Sequence, residues 1–121
     1  MIGYVTLGTR DLKKAAAFYD KIAAEMGIER FMESDTFIAW GDGEGAGLGL
    51  TQPFDGKPMT VGNGVMVALG AKDKAEVDRI YKLALSLGGT DEGPPGLRGE
   101  GFYAAYFRDL DGNKLNAFVM G

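Results

Sequence analysis

The feature that most constrains the fold of this chain is an internal repeat. When the 121-residue sequence is aligned with itself at an offset of 62 residues, the openings of the two halves match without a gap. Such self-similarity predicts two copies of one supersecondary unit. The identical pairs are Val5 and Val67, Leu7 and Leu69, Gly8 and Gly70, Asp11 and Asp73, Tyr19 and Tyr81, and Gly27 and Gly89.

Each repeat is predicted to open with a strand that leads into a helix. The strand segments are short and bounded by glycine, and the segments after them carry apolar residues at helical spacing. An aspartate caps each helix and glycine ends it, and in the second copy Glu76 completes a capping box. The predicted features are strands 2–8 and 64–70, caps Asp11 and Asp73, and stops Gly27 and Gly88-Gly89.

Three strands are predicted after each helix, which makes each repeat a βαβββ unit. Residues 53–58 contain two prolines and a glycine and are predicted to be a linker. We therefore expect an α+β fold, with residues 1–121 forming a single domain of two βαβββ repeats at about 1–56 and 62–121. The predicted strands are 29–32, 36–40 and 47–52 in the first repeat, and 90–92, 102–107 and 114–120 in the second.

The composition excludes several classes of chemistry. The chain has no cysteine and no histidine, so it has no disulfide, thiol nucleophile, imidazole base or imidazole metal ligand. Its net charge of −4 disfavours binding to nucleic acids. No apolar run reaches 18 residues, which disfavours a membrane span, and no targeting segment is recognisable. We expect a cytoplasmic protein with nothing cleaved.

Two motifs give the chain a resemblance to a known family. They are residues 4–12 followed by Ala17-Phe18-Tyr19, and the segment 107–115, Phe-Arg-Asp-Leu-Asp-Gly-Asn-Lys-Leu. The chain resembles the vicinal-oxygen-chelate superfamily of glyoxalases, extradiol dioxygenases and bleomycin-resistance proteins over essentially its whole length. The resemblance implies two curled mixed sheets, each with a helix on its outer face, a ligand cavity at the concave faces, and a homodimer.

The resemblance also identifies where a metal would be held, and this chain departs from the family there. The family's first-strand ligand positions fall on Tyr4 and Met66, and its last-strand positions fall near Gly49 and on Asn116. Thioether, neutral phenol and amide groups are poor ligands for a first-row divalent ion. We therefore expect no metal and no cofactor, and no glyoxalase or dioxygenase activity of the metal-dependent kind.

Six residues are candidates for binding a ligand, and each also has a purely structural interpretation. We expect Tyr4 and Met66 either to line the pocket or to fill the core. We match Trp40 and Tyr106 to each other between the repeats. Each of these two rings either stacks on a ligand or belongs to the sheet core. Asn116 contacts a ligand, makes a structural hydrogen bond or faces solvent. Arg98, in a flexible loop over 96–101, binds an anionic group or forms an exposed surface pair.

The leading hypothesis is a metal-free protein that binds a small aromatic or amphipathic molecule through Tyr4, Trp40, Met66, Arg98, Tyr106 and Asn116. A second is an enzyme, with an atypical oxygen-ligated metal or with acid–base chemistry by Tyr4 and a carboxylate such as Glu100. A third is a dimeric interaction module whose cavity is filled by side chains. The sequence is compatible with an enzyme as well as with a protein that only binds its ligand.

Overall fold

The computed structural model describes residues 1–121, and they divide into two compact units, Met1–Val61 and Gly62–Gly121. Each unit has the predicted βαβββ order, which confirms the α+β fold class. Unit 1 contains β1 (Tyr4–Gly8), α1 (Leu12–Glu25), β2 (Arg30–Glu33), β3 (Phe37–Trp40) and β4 (Gly47–Thr51). Unit 2 contains β5 (Val67–Gly70), α2 (Lys74–Ser86), β6 (Thr90–Gly99), β7 (Phe102–Arg108) and β8 (Lys114–Met120).

Both units have the same sheet topology. The strand order is β1-β4-β3-β2 in unit 1 and β5-β8-β7-β6 in unit 2. The first strand of each unit pairs in parallel with the last, and the other neighbours are antiparallel. A parallel pair needs a long crossover connection, and the helix with the two strands after it supplies that connection in each unit.

The two aspartates predicted as helix caps have that role in the structure. The Asp11 side chain accepts a hydrogen bond from the Lys14 backbone N–H at 3.1 Å, and Asp73 accepts one from the Glu76 backbone N–H at 2.8 Å. Glu76 in turn accepts from the backbone N–H of Lys72, the residue before the N-cap, so its side chain also folds back over the start of the helix, as in a capping box. Neither helix is long and apolar enough to cross a lipid bilayer.

The aligned glycines that follow the helices have different roles. Gly27 has a φ of 72°, the left-handed conformation that ends α1. In unit 2 this conformation belongs to Gly88, whereas a Cβ on Gly89 would lie only 2.7 Å from the Arg108 carbonyl oxygen. Glycine is therefore required at position 89 because the Arg108 backbone comes too close for a side chain. Gly27 and Gly89 are aligned and identical, but glycine is needed at each for a different reason.

The strand β6 is longer than predicted. We expected a strand over 90–92 and a loop over 96–101, but β6 continues to Gly99 and only a short turn separates it from β7. It is an edge strand with register shifts opposite β7, and the edge of a sheet tolerates Pro94 and Pro95, which lie beyond the predicted end of the strand. Arg98 therefore lies on a strand.

Candidate functional site

Each sheet has one face that packs on its helix and one that faces away from it. In unit 2, Phe107 and Leu115 are fully buried, and the Tyr103 hydroxyl donates to Asp78 of α2 at 2.7 Å, so these residues belong to the helix side. Alternation along the strands places the residues between them on the opposite side. We call this side the distal face of unit 2; it comprises Ala68, Phe102, Ala104, Tyr106, Arg108, Lys114, Asn116 and Phe118.

Strand register places Asn116 at the middle of this distal face. Its Cα pairs with that of Ala68 in β5 on one side and that of Tyr106 in β7 on the other. Phe102 and Phe118 stack beside it, with ring centroids 5.7 Å apart and an interplanar angle of 25°. The face therefore combines flat apolar area with one buried amide, the composition typical of a small-molecule site.

The Asn116 side chain is a polar group that is buried without full hydrogen bonding. It is only 1% exposed, and its Oδ1 is buried without a hydrogen-bond partner. Leaving such an acceptor unpaired costs roughly 1–3 kcal/mol, so nearly all buried polar groups in proteins are paired. The aligned position in unit 1 is Gly49, which has no side chain to satisfy.

Two cationic side chains lie over the Tyr106 ring. The Arg98 Cζ is 5.4 Å and the Lys114 Nζ 5.6 Å from the ring centroid. Three predicted candidates, Arg98, Tyr106 and Asn116, are thus brought together in unit 2. Met66 directly precedes β5 and is 41% exposed.

The prediction that Trp40 faces the ligand side is wrong. Trp40 is buried against α1, where its ring contacts Tyr19 and its Nε1–H donates to Asp20 at 2.9 Å. The register shows why: Trp40 pairs with Leu48 as Phe107 pairs with Leu115, so Trp40 corresponds to Phe107 and Ala39 corresponds to Tyr106. A shift of one residue in the alignment of the repeats reverses the face of a strand.

Trp40 belongs instead to a polar network on the helix side of unit 1. Asp20 accepts two hydrogen bonds from Arg30, at 2.8 and 2.7 Å, in addition to the one from Trp40. The hydrogen bonds from Arg30, assisted by the one from Trp40, lower the pKa of Asp20. Arg30 also lies over the Trp40 ring, 5.9 Å from its centroid. This network joins α1 to β2 and β3 and is structural.

The distal face of unit 1 differs from that of unit 2. Tyr4 lies there and is 64% exposed, but no buried polar side chain accompanies it. The Phe37 ring covers Gly49, since a Cβ built on this glycine would lie 2.7 Å from the Phe37 Cζ. The Phe31 ring similarly covers Gly47, at 3.2 Å. Unit 1 therefore fills with aromatic rings the space that polar side chains occupy in unit 2.

The donor groups on these faces do not fit a divalent metal ion. No group of three or more carboxylate, histidine or cysteine side chains lies together anywhere in the chain. In unit 2 the aligned positions offer a thioether and one amide, and the cations Arg98 and Lys114 over the neighbouring ring would repel a metal ion. We therefore derive no chemical step through a metal.

Sequence reasoning missed two features of the surface, one in each unit. The first is Lys114, whose position beside Tyr106 was implicit in the alternation of 114, 116 and 118. The second is a surface groove of about 340 Å³ in unit 1, formed where the predicted linker folds over the start of α1. No sequence pattern indicated this groove. Its lining is Thr9, Arg10, Gln52, Pro53, Gly56, Lys57, Pro58 and Met59.

Comparison with known proteins identifies one superfamily, both by a family model and by solved structures. Residues 1–117 match the family model of the Glyoxalase/Bleomycin resistance protein/Dioxygenase superfamily. The crystal structure of a glyoxalase/bleomycin resistance protein from Albidiferax ferrireducens T118 is 32% identical with a TM-score of 0.93, and the match covers 100% of this chain and 99% of that one. No curated protein matches the chain.

Two further solved structures are similar at greater distance. Lactoylglutathione lyase from Agrobacterium tumefaciens is 26% identical with a TM-score of 0.73, over 98% of this chain and 92% of that one. A glyoxalase/bleomycin resistance protein/dioxygenase family enzyme from Burkholderia phytofirmans PsJN is 18% identical with a TM-score of 0.79, over 98% of both chains. The last likeness concerns the fold alone.

Proposed function

The chain belongs to the Glyoxalase/Bleomycin resistance protein/Dioxygenase superfamily, and we propose that within it this protein is a metal-free binder of a small aromatic or amphipathic molecule. The proposed site is the distal face of unit 2. The observation that carries the proposal is the buried, unpartnered Oδ1 of Asn116 beside the Tyr106 ring. A ligand that donates an O–H or N–H to this oxygen removes an existing cost and gains a hydrogen bond.

The aromatic residues of the same face supply the apolar part of the site. The Phe102 and Phe118 rings stack on each other and are half-buried, as is Tyr106. A flat ligand would add to this stack and cover their remaining exposed area. Because Asn116 is almost fully buried, the ligand must displace a covering side chain to reach it. Met66 and Tyr4 stay candidates at the edge of the binding surface, and Trp40 does not.

The role of Asn116 can be tested by replacing it with leucine, which has the same branched shape and number of heavy atoms but no hydrogen-bonding group. We expect Asn116→Leu to change the free energy of unfolding by less than about 1 kcal/mol, because the removal of an unsatisfied acceptor offsets the cost of the larger methyl groups. The same change should lower the affinity for a ligand that carries a donor group about tenfold. Urea unfolding and isothermal titration calorimetry measure the two effects.

Asn113 provides a matched control of the same residue type. It is also buried, at 6% exposure, but its side-chain amide donates to Asp109 at 3.0 Å and its backbone N–H at 2.9 Å. Asn113→Leu should therefore destabilise the protein by roughly 2 kcal/mol without a specific effect on affinity. Equal destabilisation by the two substitutions would show that Asn116 is an ordinary structural residue, and the proposal would fail.

The absence of a metal requirement needs its own experiment. We expect protein treated with a chelator to bind aromatic compounds as tightly as untreated protein, because no donor cluster is present to hold an ion. Elemental analysis of carefully purified protein is the companion measurement. A stoichiometric divalent ion whose removal abolishes binding, and whose return restores it, would contradict the proposal and favour an enzyme with an atypical site.

Two other expectations stay predictions of the same proposal. The first is a homodimer, which sedimentation velocity would detect as a species of twice the mass of the 12.9 kDa chain. The second is a cytoplasmic location, which fractionation of the source cells would test. Several large apolar side chains that are more than half exposed, such as Tyr4 and Phe31, support the first expectation, because burial in a partner would stabilise them.

A further inference from the structure

The two cationic side chains beside Tyr106 bear on the charge of the ligand. Arg98 comes from β6 and Lys114 from β8, and both lie over the ring of Tyr106 on the strand between them. Two cations drawn to one ring repel each other, and the attraction of the ring to each is modest. The arrangement therefore raises the local positive potential of a chain whose net charge is −4.

Neither of these cations has a carboxylate partner. Other arginines of the sheets do: Arg30 is 2.7 Å from Asp20, and Arg108 is 3.1 Å from Glu92. Arg98 donates instead to the backbone carbonyl of Pro94, which is a neutral acceptor. The nearby Asp91 is already an acceptor for the Tyr81 hydroxyl and the Gly93 backbone N–H. The two cations over Tyr106 thus have unused capacity for an anion.

Two glycines leave room for the Arg98 guanidinium group. A Cβ on Gly93 would lie 3.1 Å from one guanidinium nitrogen of Arg98, and a Cβ on Gly96 would lie 3.0 Å from the other. A side chain at either position would press on the guanidinium, so the glycines give it room, and its hydrogen bond to the Pro94 carbonyl fixes it there. Gly93 is also the register partner of Tyr106, which explains how the group reaches the ring. A donor that is already positioned loses less conformational entropy when it binds a ligand.

From these observations we propose that the ligand of the distal face of unit 2 is an aromatic carboxylate. Its carboxylate binds Arg98 and Lys114, its ring stacks beside Tyr106, and a donor elsewhere on the molecule reaches Asn116. The planar guanidinium matches a carboxylate through two parallel hydrogen bonds, and Lys114 adds a second charge. This inference rests on the proposed function and specifies the chemical class of its ligand.

The test compares two probes of the same shape, 6-hydroxy-2-naphthoate and its neutral amide, 6-hydroxy-2-naphthamide. Both offer the ring and the hydroxyl donor, and only the first carries a charge. We expect the naphthoate to bind about tenfold or more tightly than the naphthamide in calorimetry at low salt, because charge-assisted hydrogen bonds are the stronger kind. The difference should shrink at high salt.

Substitutions test whether the difference in affinity between the two probes depends on Arg98 and Lys114. Arg98→Gln and Lys114→Gln should each weaken naphthoate binding roughly five- to tenfold and weaken naphthamide binding less, because the neutral amide accepts weaker hydrogen bonds than a carboxylate. The matched control is Lys74→Gln, because the Lys74 Nζ lies over the Tyr103 ring at 5.5 Å, on the helix side of the same sheet. This control should change neither affinity. Circular dichroism of each variant verifies that it is folded.

The failures of the inference and of the proposed function are distinguishable. If both probes bind equally, and Asn116→Leu weakens both while Arg98→Gln weakens neither, the carboxylate inference is wrong and the binding site stands. If neither probe, nor any compound of a wider aromatic set, binds the wild-type protein, the proposed function itself fails. Equal weakening of naphthoate binding by Lys74→Gln would also overturn the inference, since the effect would then be general electrostatics.

Discussion

The two units have one topology but different distal faces. At the aligned position on the last strand, unit 1 has Gly49 under the Phe37 ring, and unit 2 has the buried, unpartnered Asn116. On the neighbouring strand, Ala39 corresponds to Tyr106, which lies beneath two cations. The comparison teaches that the repeated framework fixes where a site can lie, and the side chains on one face decide which unit has it.

The helix sides of the units differ in a complementary way. Unit 1 joins its helix to its sheet through the charged pair of Asp20 and Arg30, with Trp40 as a further donor. Unit 2 uses neutral tyrosine hydroxyls that donate to aspartates, Tyr103 to Asp78 and Tyr81 to Asp91. Each of these contrasts leads to a prediction in which one unit serves as the control for the other.

The largest expected effect concerns the turns before the last strands. In unit 2 the buried Asp109 accepts from the backbone N–H groups of Asp111 and Asn113, whereas in unit 1 the exposed Asp42 accepts only from that of Glu44. Asp109→Ala should lower the free energy of unfolding by roughly 3 kcal/mol, and Asp42→Ala by less than about 1 kcal/mol. Urea unfolding measures both, and equal effects would contradict the structure.

A smaller effect is expected when the covered glycine of unit 1 acquires a side chain. Gly49→Ala should cost roughly 2 kcal/mol, because the new Cβ would lie 2.7 Å from the Phe37 ring. Gly45→Ala is the control, since a Cβ there meets nothing within 4 Å. Adding Phe37→Leu should restore part of the loss in the Gly49 variant. A Gly49→Ala protein as stable as the wild type would show that the ring does not occupy this space.

The smallest expected effects concern how the free energy of unfolding depends on pH. Unit 1 should lose stability in acid, and unit 2 should lose it in alkali. The hydrogen bonds from Arg30 lower the pKa of Asp20, so their contribution is present above the unfolded pKa of about 4 and is lost as the pH falls through the folded value. The hydrogen bonds to Asp78 and Asp91 raise the pKa of Tyr103 and Tyr81. That contribution is present below about pH 10 and is lost as the pH rises through the folded value.

Substitution separates the two pH effects. Asp20→Asn should reduce the loss of stability in acid and leave the alkaline side unchanged, whereas Tyr103→Phe should do the reverse. Urea midpoints measured from about pH 2.5 to pH 6 and from about pH 8 to pH 11 test both changes. If both variants alter the same limb, the assignment of a charged network to unit 1 and a neutral one to unit 2 is wrong.

Sequence reasoning predicted the fold well because the signals it used are local. The aspartate caps and the apolar spacing specify both helices, and the repeat identifies the second copy of each element. The identities that define the repeat end near Gly27, however, so the offset of 62 residues does not extend to the later strands. At β3 and β7 the register shows an offset of 67, whereas the match of Trp40 to Tyr106 implies an offset of 66 and is therefore one residue short of Phe107.

The candidate site was predicted only in part, because it depends on contacts between strands. Asn116 and Tyr106 were identified, but a sequence does not show that an amide oxygen has no partner or that two cations lie over one ring. The position of Arg98 depends on space beside Gly93, which follows the predicted strand, and Gly96, which we predicted to lie in a loop. The groove beside Arg10 and Lys57 depends on how residues 53–58 fold back, which no periodicity describes.

The most direct test of the account is a nuclear magnetic resonance titration of chelator-treated protein. The side-chain amide of Asn116 is followed as 6-hydroxy-2-naphthoate is added, and zinc is added in a parallel sample. We predict that the naphthoate shifts the Asn116 signal and the backbone signals of β7 and β8, and that zinc leaves them unchanged. A shift produced by zinc, with no response to the aromatic carboxylate, would contradict the claim of a metal-free ligand site on unit 2.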